Sequence, residues 1–410
     1  MSQASRILIA LILGLGLGIL GADLGGQKLL AIADPLGGIW LDALRMTIIP
    51  LVVALVVTGI AATADAARGG GLALKALILF LVLLWISSIT AALFTPLFLS
   101  LWPVPAEAAT ALRSALGTEQ AAVGDVPPIA DFIRSMVPAN PIAAAAQDAF
   151  LPTILFTALF SVAVTRLPAI QRDRITGFFG AVGEAMMVMV NWVLWLAPIG
   201  VFALSYAVGV RTGGAAVGAL MHYIVIVSAV GGVVWLMAYP LAMFGGRVPL
   251  MRFIRATAPA QAVGLSTQSS LATLPQMLKS AENLGVPSAT AGLVLPLAVA
   301  IFRVTGPVMN LAVVLYVAHW FGISLGPAQI AAGVAAAAIT TMGAVSLPGQ
   351  LSFLTSIAPI ALAIGVPIEP LVLLVAVEMI PDLMRTIGNV TMDVAVTTVV
   401  HRLSKDDETA

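Results

Sequence analysis

Five polar residues recur through one apolar segment near the end of the chain: Glu378, Asp382, Arg385, Asn389 and Asp393. Their spacings of four, three, four and four place them in a single stripe along one face of a helix. The rest of residues 371–400 is largely Leu, Val, Ile, Met and Ala. Three carboxylates, a guanidinium and an amide cannot be turned to lipid, where each charge costs roughly 2.5–3.5 kcal/mol at the bilayer centre. The stripe must face protein, water or a polar ligand. An internal Asp–Arg pair that only joins helices is one reading. The other is a ligand site, in which the guanidinium takes a carboxylate and a carboxylate takes an ammonium or another cation.

Three further segments carry polar groups inside apolar surroundings. Residues 264–275 read Gly-Leu-Ser266-Thr267-Gln268-Ser269-Ser270-Leu271-Ala272-Thr273-Leu-Pro275. Residues 302–307 read Phe302-Arg303-Val304-Thr305-Gly306-Pro307, where Gly-Pro interrupts a helical ladder beside an arginine that needs a partner. Residues 340–350 run from Thr340-Thr341 through Ser346-Leu347-Pro348-Gly349 to Gln350. A serine nucleophile at Ser269 or Ser270 would need a base, and His222, His319 and His401 all lie outside these segments. A hydrolase is therefore disfavoured. An aspartate-lined channel remains the other alternative to a carrier.

The elements that position these groups span a membrane. The chain is 60% hydrophobic and 9% charged, with a mean hydropathy of +1.07, where a soluble domain carries about 25% charged residues. Net charge is zero, which gives no footing for nucleic acid. Without cysteine there is neither a disulfide nor a thiolate metal site. Spans are expected at about 5–23, 38–62, 73–101, 141–165, 175–207 and 215–244, each able to cross about 30 Å of hydrocarbon. Arg6 and the apolar run to Leu20 read as the first of them rather than as a cleaved leader. With the N-terminus inside, Arg6, Arg68, Lys75, Arg166, Arg172, Arg174, Arg247, Arg252, Arg255, Arg402 and Lys405 fall on the inner side. Only Lys28, Arg113, Arg134 and Arg211 fall outside. That bias puts both termini in the cytoplasm and leaves 103–140 as a long outer loop.

Beyond residue 250 the pattern changes. Segments 253–287 and 326–366 each have two short apolar arms around a polar centre, as a re-entrant hairpin would, its tip buried in protein or lining a cavity. A single helix with its hydroxyls bonded to its own carbonyls is the plainer reading. The order is hairpin, broken span (290–320), hairpin, polar span (371–400). The two hairpins enter from opposite sides, an inverted repeat of the kind found in secondary transporters.

At this point the chain resembles the dicarboxylate/amino acid:cation symporter family, the glutamate transporter homologues. The strongest motif is Asp382-x-x-Arg385-Thr386-x-x-Asn389-Val390-Thr391-x-Asp393, followed by Thr267-Gln268-Ser269-Ser270-Leu271-Ala272-Thr273-Leu274-Pro275. Arg45-Met46 to Pro50, Asn140-Pro141 and Pro198 to Leu204 match more weakly. The resemblance implies an all-α polytopic membrane protein with eight transmembrane helices, two re-entrant hairpins and an elevator mechanism, assembled as a homotrimer in the cell's inner membrane. It divides the chain into scaffold helices at 1–72 and 141–210 and mobile spans at 73–102 and 211–250. The outer loop (103–140), a transport core (251–402) and a cytoplasmic tail (403–410) complete the division. It implies an acidic amino acid as substrate. Arg385 would hold the side-chain carboxylate and Asp382 the α-ammonium. Thr386 and Asn389 would hydrogen-bond the substrate, and Ser269 and Ser270 would take the α-carboxylate. Asp393 would belong to a sodium site.

The departures bear on coupling. The family's seventh span carries Asn-Met-Asp-Gly-Thr, and the corresponding residues are read as Phe302 to Gly306, with Val304 in place of the aspartate and Arg303 in place of the methionine. Arg303 is therefore expected to pair with Asp393 where a sodium ion would sit, with Asn389 and Val304 beside it. Transport is then expected without the usual sodium requirement, either proton-coupled, with Glu378 the candidate proton carrier, or as simple exchange. No cofactor is expected. The alternatives are a sodium-coupled symporter of C4-dicarboxylates or of neutral amino acids, with a sodium site left at Asp393.

Overall fold

Apolar segments of this length form helices because a helix satisfies its own backbone polar groups where water is absent. A computed structural model describes residues 3–21, 27–67, 70–104, 134, 137–147, 149–212, 215–343 and 349–408. These residues hold helices and no strand. In chain order the helices are α1 (Gln3–Gly21), α2 (Gln27–Ala67), α3 (Gly71–Leu101), α4 (Pro141–Ala146), α5 (Phe150–Val164), α6 (Ala169–Trp195), α7 (Ala197–Thr212) and α8 (Ala215–Pro240). A short π-turn at Leu241–Gly245 extends α8. Then come α9 (Leu250–Thr267), α10 (Ser270–Asn283), α11 (Ser288–Ile301), α12 (Thr305–Phe321), α13 (Pro327–Gly343), α14 (Gly349–Ala363), α15 (Leu371–Val377) and α16 (Met379–Glu408). Among the described residues, the stretches Met46–Asp65, Gly71–Leu101, Ala169–Trp195, Val217–Gly245 and Ser288–Phe321 are long and apolar enough to cross a membrane. The residues expected at the second hairpin tip, 344–348, and most of the expected loop lie outside the described residues.

Four expected spans differ from the helices observed; one of them, read at 371–400, is two helices, α15 and α16, on either side of Glu378. The one read at 38–62 is part of a longer helix, α2, which begins at Gln27 and carries Pro35 and Pro50 within it. The one read at 175–207 is two helices, α6 and α7, broken at Leu196. Pro198 has no N–H to offer the carbonyl of Leu194, so the ladder stops there. The one read at 141–165 is likewise two pieces, α4 and α5. Asn140 caps the first, its Oδ1 accepting from the amides of Ile142 and Ala143.

Two neighbourhoods of helix contacts stand out, joined where α13 and α14 pack on α2. α1 packs on α7, and α2 packs on α5, α6 and α7. The α1–α7 contact is backbone to backbone. A Cβ on Gly209 would lie 2.5 Å from the Leu15 carbonyl oxygen, and one on Gly18 would lie 2.4 Å from that of Tyr206. Only glycine allows that approach. In the second neighbourhood α16 packs on α8, α9, α10 and α11, while α12 packs on α3 and α8. α9 and α10 pack on each other across Gln268 and Ser269, and α13 packs on α14.

Candidate functional site: a buried carboxylate–guanidinium cluster

Pro381 cannot donate to the carbonyl of Val377, and the ladder is interrupted there, between α15 and α16. Glu378 sits in that interruption, its carbonyl accepting from the Asp382 amide at 2.9 Å. The stripe then runs down α16. Arg385 is 6% exposed and Glu378 1%. Arg385 Nη2 donates to Glu378 Oε1 at 2.7 Å, and its Nη1 donates to Asn310 Oδ1 at 2.8 Å. Its Nε lies 3.4 Å from Asp382 Oδ1. The second oxygen of Glu378 accepts from the Tyr223 hydroxyl at 3.0 Å. One guanidinium thus serves two carboxylates, a close charge-assisted bond to Glu378 and a looser one to Asp382.

One turn further on, Asn389 Oδ1 accepts from the Thr305 amide at 3.0 Å and is 2.8 Å from the Thr305 hydroxyl. This joins α16 to the break between α11 and α12. Residues 302–304 are unwound but not left unsatisfied. Phe302 donates its N–H to Ala298, its ring stacks on Phe80 with centroids 4.5 Å apart, and the Val304 carbonyl accepts from Ser87 on α3. Val304 itself offers no polar side chain. It is the following residue, Thr305, that meets Asn389.

The expected pair between Arg303 and Asp393 is not formed. Among the described residues neither carboxylate oxygen of Asp393 has a hydrogen-bond partner, and the residue is 1% exposed. The reason is position along the helix. Arg385 and Asp382 are among the charges that act on Arg303, and Asp393 lies eleven residues beyond Asp382, about 16 Å along the axis at 1.5 Å per residue. Arg303 is thus within electrostatic reach of Arg385 and Asp382 in the upper cluster. Asp393 is left alone below, where an uncompensated buried charge costs several kcal/mol that a bound proton or cation removes. Among the described residues no group of three or more His, Asp or Glu side chains could hold a metal ion.

The first hairpin lies beside the stripe. A Cβ on Gly264 would meet Thr386 Cγ2 and Val390 Cγ2 at 3.4 Å. Gln268 takes a left-handed conformation (φ 52°, ψ 31°) to end α9. Ser269 then caps α10, its Oγ accepting from the Ala272 amide at 3.2 Å. Ser270 is the first residue of α10 and is partly buried. No hydrogen bond joins Ser269 or Ser270 to α16 among the described residues, and the Thr386 hydroxyl donates to the Asp382 carbonyl of its own helix at 3.0 Å. The structure thus gathers Glu378, Asp382 and Arg385, sets Arg303 within their electrostatic reach, ties Asn389 to the helix break, and sets the serine tip alongside. Thr305, from the interrupted span, joins the cluster, and Tyr223 and Asn310 complete it without having stood out in the sequence. The one available signal was His222-Tyr223, a polar pair inside an otherwise apolar span.

Residues 4–403 match the model of the sodium:dicarboxylate symporter family. The chain is 27% identical to the proton/glutamate-aspartate symporter of Escherichia coli (strain K12), over 95% of this chain and 90% of that protein. It is 26% identical to the proton/sodium-glutamate symport protein of Bacillus caldotenax, over 94% and 91%. It is 28% identical to the neutral amino acid transporter A of Homo sapiens, over 96% and 80%.

Proposed function

The chain belongs to the sodium:dicarboxylate symporter family and is an integral membrane transporter, not an enzyme; from that premise we propose that it carries aspartate or glutamate across the cytoplasmic membrane by proton-coupled transport. The observation that carries this reading is the buried Arg385 held between Glu378 and Asp382. A neutral amino acid, whose one carboxylate goes to the serine tip, would give the guanidinium no side-chain carboxylate to hold. An acidic one supplies a carboxylate for Arg385, while its α-ammonium goes to Asp382. Ser269 and Ser270 at the first hairpin tip take the α-carboxylate, and Thr386 and Asn389 border the site. The similarity to a glutamate-aspartate symporter supports the same substrate class.

The geometry also supplies a coupling route. Glu378 holds Arg385 at 2.7 Å, so the substrate's carboxylate must replace that of Glu378. Two carboxylates on one buried guanidinium repel each other, and a proton taken up by Glu378 removes the conflict. Substrate and proton then bind together. Sodium is not required in this reading. Asn389 Oδ1 already accepts from the Thr305 amide and hydroxyl and the Val304 carbonyl from Ser87, and among the described residues the Asp393 carboxylate has no hydrogen-bond partner. Sodium independence no longer rests on an Arg303–Asp393 pair.

The remaining parts of the proposal follow the family. Residues 1–72 and 141–210 form a scaffold within a homotrimer, and 73–102 with 211–402 move as a carrier. The termini at 1 and 403–410 lie in the cytoplasm. Uptake of radiolabelled aspartate, glutamate, succinate and alanine into proteoliposomes tests the substrate class. Aspartate and glutamate are expected to be taken up and to displace each other. Preference for succinate would make the chain a dicarboxylate carrier, and preference for alanine would remove the role given to Arg385.

A further inference from the structure

Glu378 is held at both oxygens. Arg385 takes Oε1 at 2.7 Å, and Tyr223, from a different helix, donates to Oε2 at 3.0 Å. Tyr223 is fully buried, and its ring packs edge-on against Tyr316 with centroids 5.4 Å apart. Tyr316 is in turn fixed by His222. The Trp102 carbonyl can only accept, so His222 Nε2 donates to it at 2.8 Å, while the Tyr316 hydroxyl lies 3.0 Å from His222 Nδ1 and 3.1 Å from the Ala219 carbonyl. The phenol beneath Glu378 is therefore braced from α8, α12 and the end of α3, and its hydroxyl is aimed at one carboxylate oxygen.

We propose that Tyr223 is a positioning residue: it pins the Glu378 carboxylate against Arg385 and so sets how strongly that carboxylate competes with the substrate. This rests on the reading of Glu378 as the coupling carboxylate. The groups around Glu378 are few. α16 contributes Arg385 and Asp382, with Arg303 beyond them at the helix break. α8 contributes Tyr223, with His222 turned to Tyr316 on α12. Of the other helices packed on α15, α14 has no titratable side chain, α1 has only Arg6, which is exposed, and α7 has only Tyr206 and Arg211, the latter paired with Asp34 at 2.6 Å. No other described hydroxyl donates to Glu378.

The test measures aspartate affinity of the purified full-length protein across pH in the wild type, Tyr223→Phe, Glu378→Gln and the double variant. The melting temperature of each variant is recorded to show that it is folded. In acid, where Glu378 carries its proton, Tyr223→Phe is expected to match the wild type. In alkali the loosened carboxylate competes less well. There Tyr223→Phe is expected to bind aspartate about tenfold more tightly than the wild type, the scale of one hydrogen bond to a charged group, so that its pH dependence flattens. In the Glu378→Gln background the tyrosine substitution is expected to change nothing further. If Glu378→Gln flattens the profile and Tyr223→Phe does not, the role of Tyr223 is overturned while that of Glu378 stands. An equal effect of Tyr223→Phe with and without Glu378 makes the tyrosine structural only. A pH dependence that survives Glu378→Gln overturns the reading of Glu378, and the role of Tyr223 falls with it.

Discussion

Replacing Arg385 with alanine perturbs the site at its centre. The guanidinium is 6% exposed and makes contacts at 2.7, 2.8 and 3.4 Å to Glu378, Asn310 and Asp382. Removing one partner of a buried ion pair costs about 3–5 kcal/mol. At about 1.4 kcal/mol per tenfold change, that corresponds to a loss of roughly two to three and a half orders of magnitude. The substrate does not lose all of it. In the wild type its carboxylate must first displace Glu378, so its net gain from Arg385 is the difference between two carboxylate pairs. The loss of aspartate affinity is therefore expected near the lower end, about a hundredfold. The same substitution strands Glu378 and Asp382 without Arg385, which lowers stability. Adding Glu378→Gln removes one stranded charge and is expected to recover part of the melting temperature but none of the aspartate binding. Calorimetric titration of purified Arg385→Ala and of the double variant, with thermal unfolding alongside, measures both quantities. Aspartate affinity within about threefold of the wild type in Arg385→Ala refutes the reasoning, as does a double variant that binds aspartate normally.

Asp382→Asn is expected to weaken aspartate by about tenfold or more while leaving any weak binding of succinate within about threefold, because only the amino acid brings an ammonium to that carboxylate; competition binding with the two ligands checks it. Asp393→Asn removes a buried carboxylate with no hydrogen-bond partner and is expected to keep sodium-free aspartate binding within about threefold and the melting temperature at or above that of the wild type. Loss of binding there would make Asp393 the coupling group. Gly209→Val places side-chain carbon where a Cβ already lies 2.5 Å from the Leu15 carbonyl oxygen. It is expected to destabilise the α1–α7 contact by about 1–3 kcal/mol or more, read as a lower melting temperature.

The polar stripe was legible in the sequence because a helix has a fixed period and a membrane penalises polar groups off that period. The same logic picked out the serine-rich turn, which the structure builds around left-handed Gln268 and the cap at Ser269. What stayed hidden depends on which helix lies against which. Tyr223, Asn310 and Thr305 are 155, 75 and 84 residues from their partners Glu378, Arg385 and Asn389, and no periodicity within one segment reports such a contact. The expected Arg303–Asp393 pair failed for the same reason. Charge complementarity named two groups that could meet, but Asp393 lies about 16 Å along α16 from Asp382, whose charge, with that of Arg385, acts on Arg303. The break at Leu196 was concealed because α6 and α7 are apolar on both sides of it, and only Pro198 marked the interruption.

The central claim is that protons, not sodium, drive the uptake of acidic amino acids through the Glu378–Arg385 cluster. The most direct measurement is accumulation of radiolabelled aspartate in proteoliposomes under one imposed gradient at a time. An inward proton gradient in choline chloride is expected to concentrate aspartate in the wild type and to fail in Glu378→Gln, which should retain aspartate exchange. An inward sodium gradient at equal pH is expected to concentrate nothing. Accumulation driven by sodium alone, with no response to the proton gradient, would contradict the account.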